Sequence, residues 1–332
     1  MTNDIQYKAW RVEEQDGDFK GAEQTLSTKD LPEGEVLIKV SHSSLNYKDA
    51  LSASGNKGVT RTFPHTPGID AAGEVVESAT GTPAVGSPVI VTGYDLGMGT
   101  AGGFGEYIRV PSAWCVPMPS GWSASTAMIY GTAGLTAGLC VQKLLTMGAR
   151  PEQGKVAVSG ASGAVGSVAV ELLAKLGFDV VAISGKADHE DSLKELGASE
   201  VVGRDALAED KKPMLKPVFG NAVDTVGGAP LAELLKQILP GGSVSCCGLV
   251  AGPQLQTTVL PFILRGVNLL GVDSVEIPLA EKEAVWKKFA GDWKCPKAEA
   301  SAKRIGRADL DGALKAFLKG ESAGKIVLDH AI

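Results

Sequence analysis

The chain has 332 residues, long enough for two domains, and 44% of them are hydrophobic, as in a soluble globular enzyme. The net charge of −6 and the lack of a basic block argue against a nucleic-acid-binding protein. Glycine is unusually frequent: 42 residues, roughly twice the usual share of about 7%. It sits among apolar runs without a collagen period, so it predicts tight turns and close backbone approaches, and it argues against disorder and fibres.

The sequence shows no sign of a targeting or membrane segment. The N-terminus lacks a basic stretch followed by an apolar one, and the longest apolar stretch, 156–170, is shorter than the roughly 20 residues of a membrane span. The five cysteines are odd in number and form no C-x-x-C pair. We therefore expect a protein of the reducing cytoplasm with neither a membrane nor a nucleic-acid partner.

The first part of the chain is predicted to be rich in β-strands. Residues 35–41, 73–77 and 87–91 are β-branched runs bounded by glycine and proline. Turn residues separate them at short intervals. This pattern predicts a compact barrel or sandwich of short strands.

The spacing of the apolar residues changes near residue 123. An apolar spacing typical of a helix covers 126–147, and strands then alternate with helices. The predicted strands are 155–159, 179–183, 200–202, 221–226 and 242–248, and the predicted helices are 165–176, 189–196 and 231–239. Alternation at this spacing predicts a parallel sheet with crossover helices, that is, an α/β domain.

The end of the chain returns to a different pattern. Two helices, 279–289 and 310–318, and a strand over 325–328 are predicted there. We expect this tail to rejoin the first domain. The predicted first domain is then 1–124 with 273–332, and the predicted α/β domain is 125–272.

A glycine-rich loop follows the first strand of the alternating region. Gly160, Gly163 and Gly166 form a G-x-x-G-x-x-G pattern between a strand and a helix. In this context the glycines allow a tight turn, a close approach to a pyrophosphate, and close helix packing. The helix N-terminus offers N–H groups to the phosphates. The alternative, a merely structural turn, is disfavoured by the strand–loop–helix context.

The residues after the second strand of this region predict NADPH as the cofactor. NAD-binding versions carry an acidic residue there, whereas this chain has Ser184, Gly185 and Lys186. A hydroxyl, a glycine and a cation suit a 2′-phosphate, and Arg204 follows the third strand. The alternative is that Lys186 is only a solvated loop lysine.

No residue cluster in the sequence predicts a metal site or a hydrolase. The four histidines form no H-x-x-x-H pair or Cys/His cluster, so we expect no metal. No G-x-S-x-G elbow occurs. Cys246 and Cys247 are interpreted as packing residues.

In several segments the chain resembles the zinc-independent medium-chain dehydrogenases/reductases of the quinone-oxidoreductase type. Within them it is most similar to the acryloyl-CoA reductase subfamily. The resemblance covers nearly the whole chain in order. Besides the glycine-rich loop, its segments are 43–51, 67–73, 131–137, 184–186, 224–227, 261–265 and 271–275.

The resemblance implies a GroES-like β-barrel catalytic domain, a Rossmann doubly wound parallel-sheet domain and a homodimer. It also implies the reaction: NADPH-dependent reduction of acryloyl-CoA to propanoyl-CoA, with hydride added to the β-carbon. Two alternatives remain open: an NADPH-dependent quinone or enone oxidoreductase, and a non-enzymatic NADPH-binding protein. The small-molecule partner is accordingly a CoA thioester or an enone.

The same resemblance assigns roles to individual residues. Catalysis needs donors for the developing enolate oxygen, for which Asn46 or backbone N–H groups are candidates, and a proton donor, for which Tyr47 or a water is a candidate. Tyr47 could instead only wall the nicotinamide, and for Asp70 a structural role is favoured. The implied cofactor-binding residues are Tyr47, Ser162, Gly163, Ala164, Val165, Ser184, Gly185, Lys186, Arg204, Leu249, Ile263, Ser274 and Lys325.

Overall fold

The computed structural model describes residues 4–332. Its strands are β1 (Gln6–Gln15), β2 (Asp18–Ser27), β3 (Val36–Ser44), β4 (Asp70–Ser78), β5 (Pro88–Thr92), β6 (Tyr107–Val110), β7 (Val116–Pro117), β8 (Lys155–Ser159), β9 (Val180–Ile183), β10 (Glu200–Val202), β11 (Phe219–Asp224), β12 (Ile238–Cys246), β13 (Asn268–Gly271), β14 (Lys303–Ile305) and β15 (Ile326–Asp329). Its helices are α1 (Tyr47–Ala53), α2 (Ala124–Thr146), α3 (Ala164–Lys175), α4 (Glu190–Leu196), α5 (Gly228–Leu235), α6 (Leu260–Arg265), α7 (Leu279–Phe289), α8 (Pro296–Ala300) and α9 (Leu310–Leu318).

The chain divides into two compact units. The first contains the chain up to Thr132 together with Ser274–Gly291 and Ser301–Ile332, and the second contains Ala133–Asp273 and Asp292–Ala300. Residues 125–132, 273 and 292–300 therefore fall on the other side of the division from the domain boundaries that we expect from the sequence. Those boundaries remain a prediction.

The first unit is built around a seven-stranded sheet in which β14, β15, β3, β4, β5 and β7 follow one another and β6 pairs with β3. Most of its pairs are antiparallel, and the inward side chains of β3, β4 and β5 form one apolar cluster, which includes Ile38 and Val91. A second cluster, with Leu45 and Leu310 at its centre, lies beneath α1 and α9. The last strand of the chain, β15, thus pairs with β3, which places the end of the chain beside α1.

The second unit contains a six-stranded parallel sheet in the order β10-β9-β8-β11-β12-β13. The chain order reverses between β8 and β11, which is the point where open α/β sheets bind ligands. The core of this unit includes Ala157, Val181, Ala222 and Val244, one from each of four neighbouring strands. The predicted parallel α/β domain is confirmed.

One predicted helix ends early and one hairpin was missed, each for an identifiable reason. The helix predicted over 231–239 ends at Leu235, because Pro240 disfavours helix in the residue before it, and Ile238 instead begins β12 and pairs with Phe219. The hairpin of β1 and β2 was not predicted. Its turn, Asp16-Gly17, has positive φ at both residues (54° and 85°), the conformation that an Asp-Gly pair favours between two strands.

Helix α2 is long and apolar enough to cross a membrane by length and composition alone, but 78% of its apolar window is buried inside the protein. It also bends at Gly131, whose φ of 50° and ψ of −159° are not helical. Burial of this kind is typical of a core helix.

Candidate active site

The glycine-rich loop of the second unit connects β8 to the N-terminus of α3. Gly160 has a φ of 62°, and a Cβ there would overlap the hydroxyl of Thr225. A Cβ on Gly166 would lie 2.7 Å from the Cα of Ala161, so the helix can pack closely only with glycine at this position. No side chain caps α3 at Gly163. The first turn therefore presents backbone N–H groups and the positive end of the helix dipole, which fits a pyrophosphate.

The end of β9 lies beside this loop and gathers the residues predicted to hold a 2′-phosphate. The Ser184 hydroxyl donates to the Ser162 hydroxyl at 3.1 Å and accepts from the backbone N–H of Lys186 at 3.2 Å. The Arg204 guanidinium lies against Gly185, where a Cβ would come within 2.5 Å of its Cζ. The Ser162 and Ser184 hydroxyls and the Arg204 guanidinium thus lie close to Gly185, and Lys186 follows it in the chain. Hydroxyl and basic side chains fit a dianionic phosphate, and no acidic residue directly follows β9 to hold a 2′-hydroxyl.

Two further predicted cofactor residues of the second unit are exposed apolar side chains. Leu249 follows β12 and Ile263 lies on α6, and they are 56% and 69% exposed. The predicted contact of these side chains with a nicotinamide stays a prediction.

The first unit contains a buried polar cluster centred on Asp70, the first residue of β4. Its carboxylate accepts hydrogen bonds from the Ser44 hydroxyl, from Asn46 Nδ2 at 2.8 Å, and from the backbone N–H and hydroxyl of Thr132 at 2.8 and 2.6 Å. The side chain is fully buried. With four donors on two oxygens, the Asp70 carboxylate is held in one orientation.

The bend in α2 at Gly131 makes this cluster possible. A Cβ at Gly131 would lie 2.7 Å from Asp70 Oδ2 and still closer to Ser44 Oγ. Because glycine accepts the φ of 50°, the chain can turn here and direct the Thr132 N–H at the carboxylate. Gly131 is the first residue of the 131–137 segment, one of the segments that carry the family resemblance. The contact with Asp70 and Ser44 explains why this position is a glycine.

A second buried carboxylate, Asp49 on α1, lies close to the first. Its two oxygens accept from the backbone N–H groups of Asn46 and Ile69 at 2.7 and 2.8 Å. Burial, reinforced by the negative charge of Asp70, raises the pKa of Asp49 to about 7 despite these hydrogen bonds. Asp49 is not among the residues predicted from the sequence, although the N-x-x-D spacing from Asn46 is a helix-start pattern that points to it.

Lys325 stands immediately before β15, next to these carboxylates. It is 2% exposed, and its Nζ has no hydrogen-bond partner among the described residues. Burial lowers the pKa of Lys325 to about 8, and the charges of Asp70 and Asp49 oppose this shift.

The other predicted residues of the first unit are Asn46, Tyr47 and Ser274. Asn46 directs its amide at Asp70 and, at 3.3 Å, at the carbonyl of Ser44. Tyr47 is the half-buried first residue of α1, and Ser274 is buried at 8% exposure. The structure therefore brings Asn46 and Lys325 to one carboxylate cluster. It adds Ser44, Asp49 and Thr132, which sequence reasoning did not select.

Among residues 4–332, no group of three or more histidine, cysteine, aspartate and glutamate side chains is arranged to hold a metal ion. None of the five cysteines, all of which lie among the described residues, forms a disulfide.

Comparisons with known proteins agree with this architecture. Residues 32–120 match the family model of the alcohol dehydrogenase GroES-like domain, and residues 164–290 match that of the zinc-binding dehydrogenase. The chain is 42% identical to the acrylyl-CoA reductase AcuI of Ruegeria pomeroyi, over 96% of each chain.

Two solved structures are similar over nearly their whole length. YhdH of Escherichia coli with bound NADPH is 44% identical with a TM-score of 0.93, covering 97% of this chain and 99% of its own. Protein YhfP of Bacillus subtilis with NAD bound is 43% identical with a TM-score of 0.94, covering 98% and 99%. The fold of a GroES-like unit plus a Rossmann unit is thereby confirmed, and the chain belongs to the medium-chain dehydrogenase/reductase family.

Proposed function

We propose that this protein is an NADPH-dependent acryloyl-CoA reductase that converts the conjugated thioester to propanoyl-CoA. The observation that carries the proposal is its 42% identity, along 96% of each chain, with a protein named acrylyl-CoA reductase. The phosphate-binding residues of the second unit and the buried polar cluster of the first unit supply the chemistry that this reaction requires.

The second unit binds the cofactor. When bound, NADPH supplies the hydride that adds to the β-carbon of the substrate. The N–H groups at the start of α3 hold the pyrophosphate, and Ser162, Ser184, Lys186 and Arg204 hold the 2′-phosphate. Relatives carry either NADPH or NAD, so the preference of this chain rests on its own donor set at the end of β9.

The first unit acts on the substrate. Addition of hydride leaves negative charge on the thioester oxygen, and preorganised donors lower the barrier by stabilising that charge. Asn46 is a poor candidate for this donor, because its amide hydrogens are directed at Asp70 and at the Ser44 carbonyl. We propose that Asn46 positions the Asp70 carboxylate and that backbone N–H groups donate to the thioester oxygen. Tyr47 would lie beside the nicotinamide.

The test is a comparison of kcat/KM for acryloyl-CoA and for a simple quinone such as 1,4-benzoquinone, each with NADPH and with NADH. The proposal predicts a preference for acryloyl-CoA and for NADPH. A preference for the quinone would establish the alternative oxidoreductase. NADPH binding without oxidation by any enone would establish a non-enzymatic protein.

We also propose a cytoplasmic homodimer that pairs through the edge of the parallel sheet. Five cysteines without a disulfide among the described residues support a reducing compartment. Strand β13 is the last strand of its sheet, and the neighbouring side chains Val259 and Leu264 are apolar and 64% and 67% exposed. An open strand edge next to an apolar patch is suited to pairing with a second copy.

Sedimentation equilibrium tests the dimer. The wild type should have twice the mass of one chain, and V259E/L264E should be monomeric at the same concentration, because it places charges on the apolar patch. A monomeric wild type would contradict the dimer.

A further inference from the structure

The Lys325 side chain is a buried cation without a partner. It is 2% exposed, and its Nζ makes no hydrogen bond among the described residues. Lysine is rarely buried unless it is paired. A buried lysine of the same unit shows the contrast: the Nζ of Lys282 donates to the carbonyls of Thr92 and Val275 at 2.7 and 2.9 Å. The ammonium hydrogens of Lys325 have no such acceptors.

The carboxylates that face Lys325 stabilise its charge without engaging its hydrogens. Asp70 and Asp49 are the charged groups that act on it. The Asp70 oxygens already accept from Ser44, Asn46 and Thr132, and the Asp49 oxygens already accept from two backbone N–H groups. Lys325 is therefore a buried amine whose charge is stabilised by two carboxylates and whose N–H bonds are not engaged by the described residues.

We infer that Lys325 is the catalytic acid that protonates the α-carbon of the substrate. This inference rests on the proposed function and names the proton donor of that reaction. Hydride forms the new C–H bond at the β-carbon, and the electron pair of the double bond moves into the enolate. The enolate then takes a proton from the Lys325 ammonium to form the second C–H bond. The resulting neutral amine regains a proton from solvent, so the balance is acryloyl-CoA, NADPH and one proton to propanoyl-CoA and NADP⁺.

A lysine suits the role of a proton donor better than the other common cationic side chain, arginine. A general acid works best when its pKa lies near the operating pH, and burial brings the pKa of Lys325 to about 8. Before it gives up its proton, the ammonium also attracts the enolate charge. An arginine would keep the charge but would not release a proton.

The experiment measures kcat with NADPH and acryloyl-CoA for the wild type, K325R, K325A and the control K303A. Lys303 lies at an exposed position on the neighbouring strand β14, so K303A should keep the wild-type rate. We expect wild-type kcat to fall as pH rises through about 8, because the acid is lost. K325R and K325A should lose about 10²-fold or more in kcat, and K325R should show no fall near pH 8.

Chemical rescue separates an acid from a structural lysine. Ethylammonium added to K325A should restore part of kcat. Across a series of primary ammonium ions, the restored kcat should depend on the pKa of the amine. Guanidinium should not restore kcat. Thermal unfolding of K325A and K325R checks that both variants are folded, so that a loss of kcat reports on the side chain and not on a loss of structure.

The outcomes distinguish the inference from the function on which it rests. If the wild type does not reduce acryloyl-CoA, the proposed function fails. Suppose instead that the wild type reduces acryloyl-CoA. If K325A or K325R then keeps full kcat, or if guanidinium rescues K325A as well as ethylammonium does, only the role of Lys325 is overturned. In that case a matching loss in Tyr47→Phe would transfer the role to Tyr47.

Discussion

Replacing Gly131 by alanine tests whether the bend in α2 sustains the polar cluster. The new Cβ would lie 2.7 Å from Asp70 Oδ2 and closer still to Ser44 Oγ, in a backbone conformation with φ 50° and ψ −159°. The conformation costs about 1–3 kcal/mol and the overlap about 1–3 kcal/mol more, so G131A should lower the free energy of unfolding of the first unit by about 2–6 kcal/mol. It should also lower kcat, because the Asp70 carboxylate must move.

The matched control is G86A in the same unit. Gly86 also has a positive φ, 84°, but a Cβ there would meet nothing within 4 Å. Urea denaturation of both variants, followed by near-ultraviolet circular dichroism, separates the cost of conformation from the cost of overlap. Equal stability and full activity of G131A and G86A would refute the claim that Gly131 is required by the contact with Asp70 and Ser44.

Three further predictions concern the phosphate, a buried carboxyl and a helix cap. R204A should lower kcat/KM for NADPH by about 10- to 100-fold, the loss of one charge-assisted contact, and should leave NADH kinetics nearly unchanged; an equal loss with both cofactors would contradict the 2′-phosphate role. Asp49 binds its proton more tightly when folded (pKa about 7 against an ordinary 3.8), so its contribution to stability is present at low pH and is lost as pH rises from about 4 to about 7. The wild type should therefore show a decline over that window that D49N lacks, and parallel urea-midpoint curves for the two proteins would disprove it. Glu171 on α3 is 6% exposed and accepts hydrogen bonds from the backbone N–H groups of Lys297 and Ala298, in the first turn of α8, at 3.0 and 2.7 Å. E171A should therefore lower the free energy of unfolding by about 1.5–3 kcal/mol and speed amide hydrogen exchange in 292–300. Unchanged exchange there would show that this contact does not anchor the segment.

The fold of the second unit could be read from the sequence because its signals are local. The G-x-x-G-x-x-G loop, the strand before it and the helix after it lie within one short segment, and each glycine has a steric reason visible in the chain. The signal for NADPH was equally local, because it depends on the three residues directly after β9, none of which is acidic. The donors that meet there, Ser162 and Ser184, came from two loops that parallel neighbouring strands must bring together.

The polar cluster of the first unit could not be assembled in the same way. Asp70, Thr132 and Lys325 are separated by 62 or more positions, and only the pairing of β15 with β3 and the bend at Gly131 bring them to one point. A single sequence offers no periodicity that reports such pairings. The placement of 292–300 in the second unit is of the same kind, since its contacts, such as those of Lys297 and Ala298 with Glu171, join residues far apart in the sequence.

The most direct test of the central claim follows the hydride itself. The protein is incubated with acryloyl-CoA and NADPH that carries deuterium at the transferable C4 position, and the product is analysed by mass spectrometry and NMR. The account predicts propanoyl-CoA with one deuterium on the β-carbon. No turnover, or propanoyl-CoA with the deuterium on the α-carbon, would contradict it.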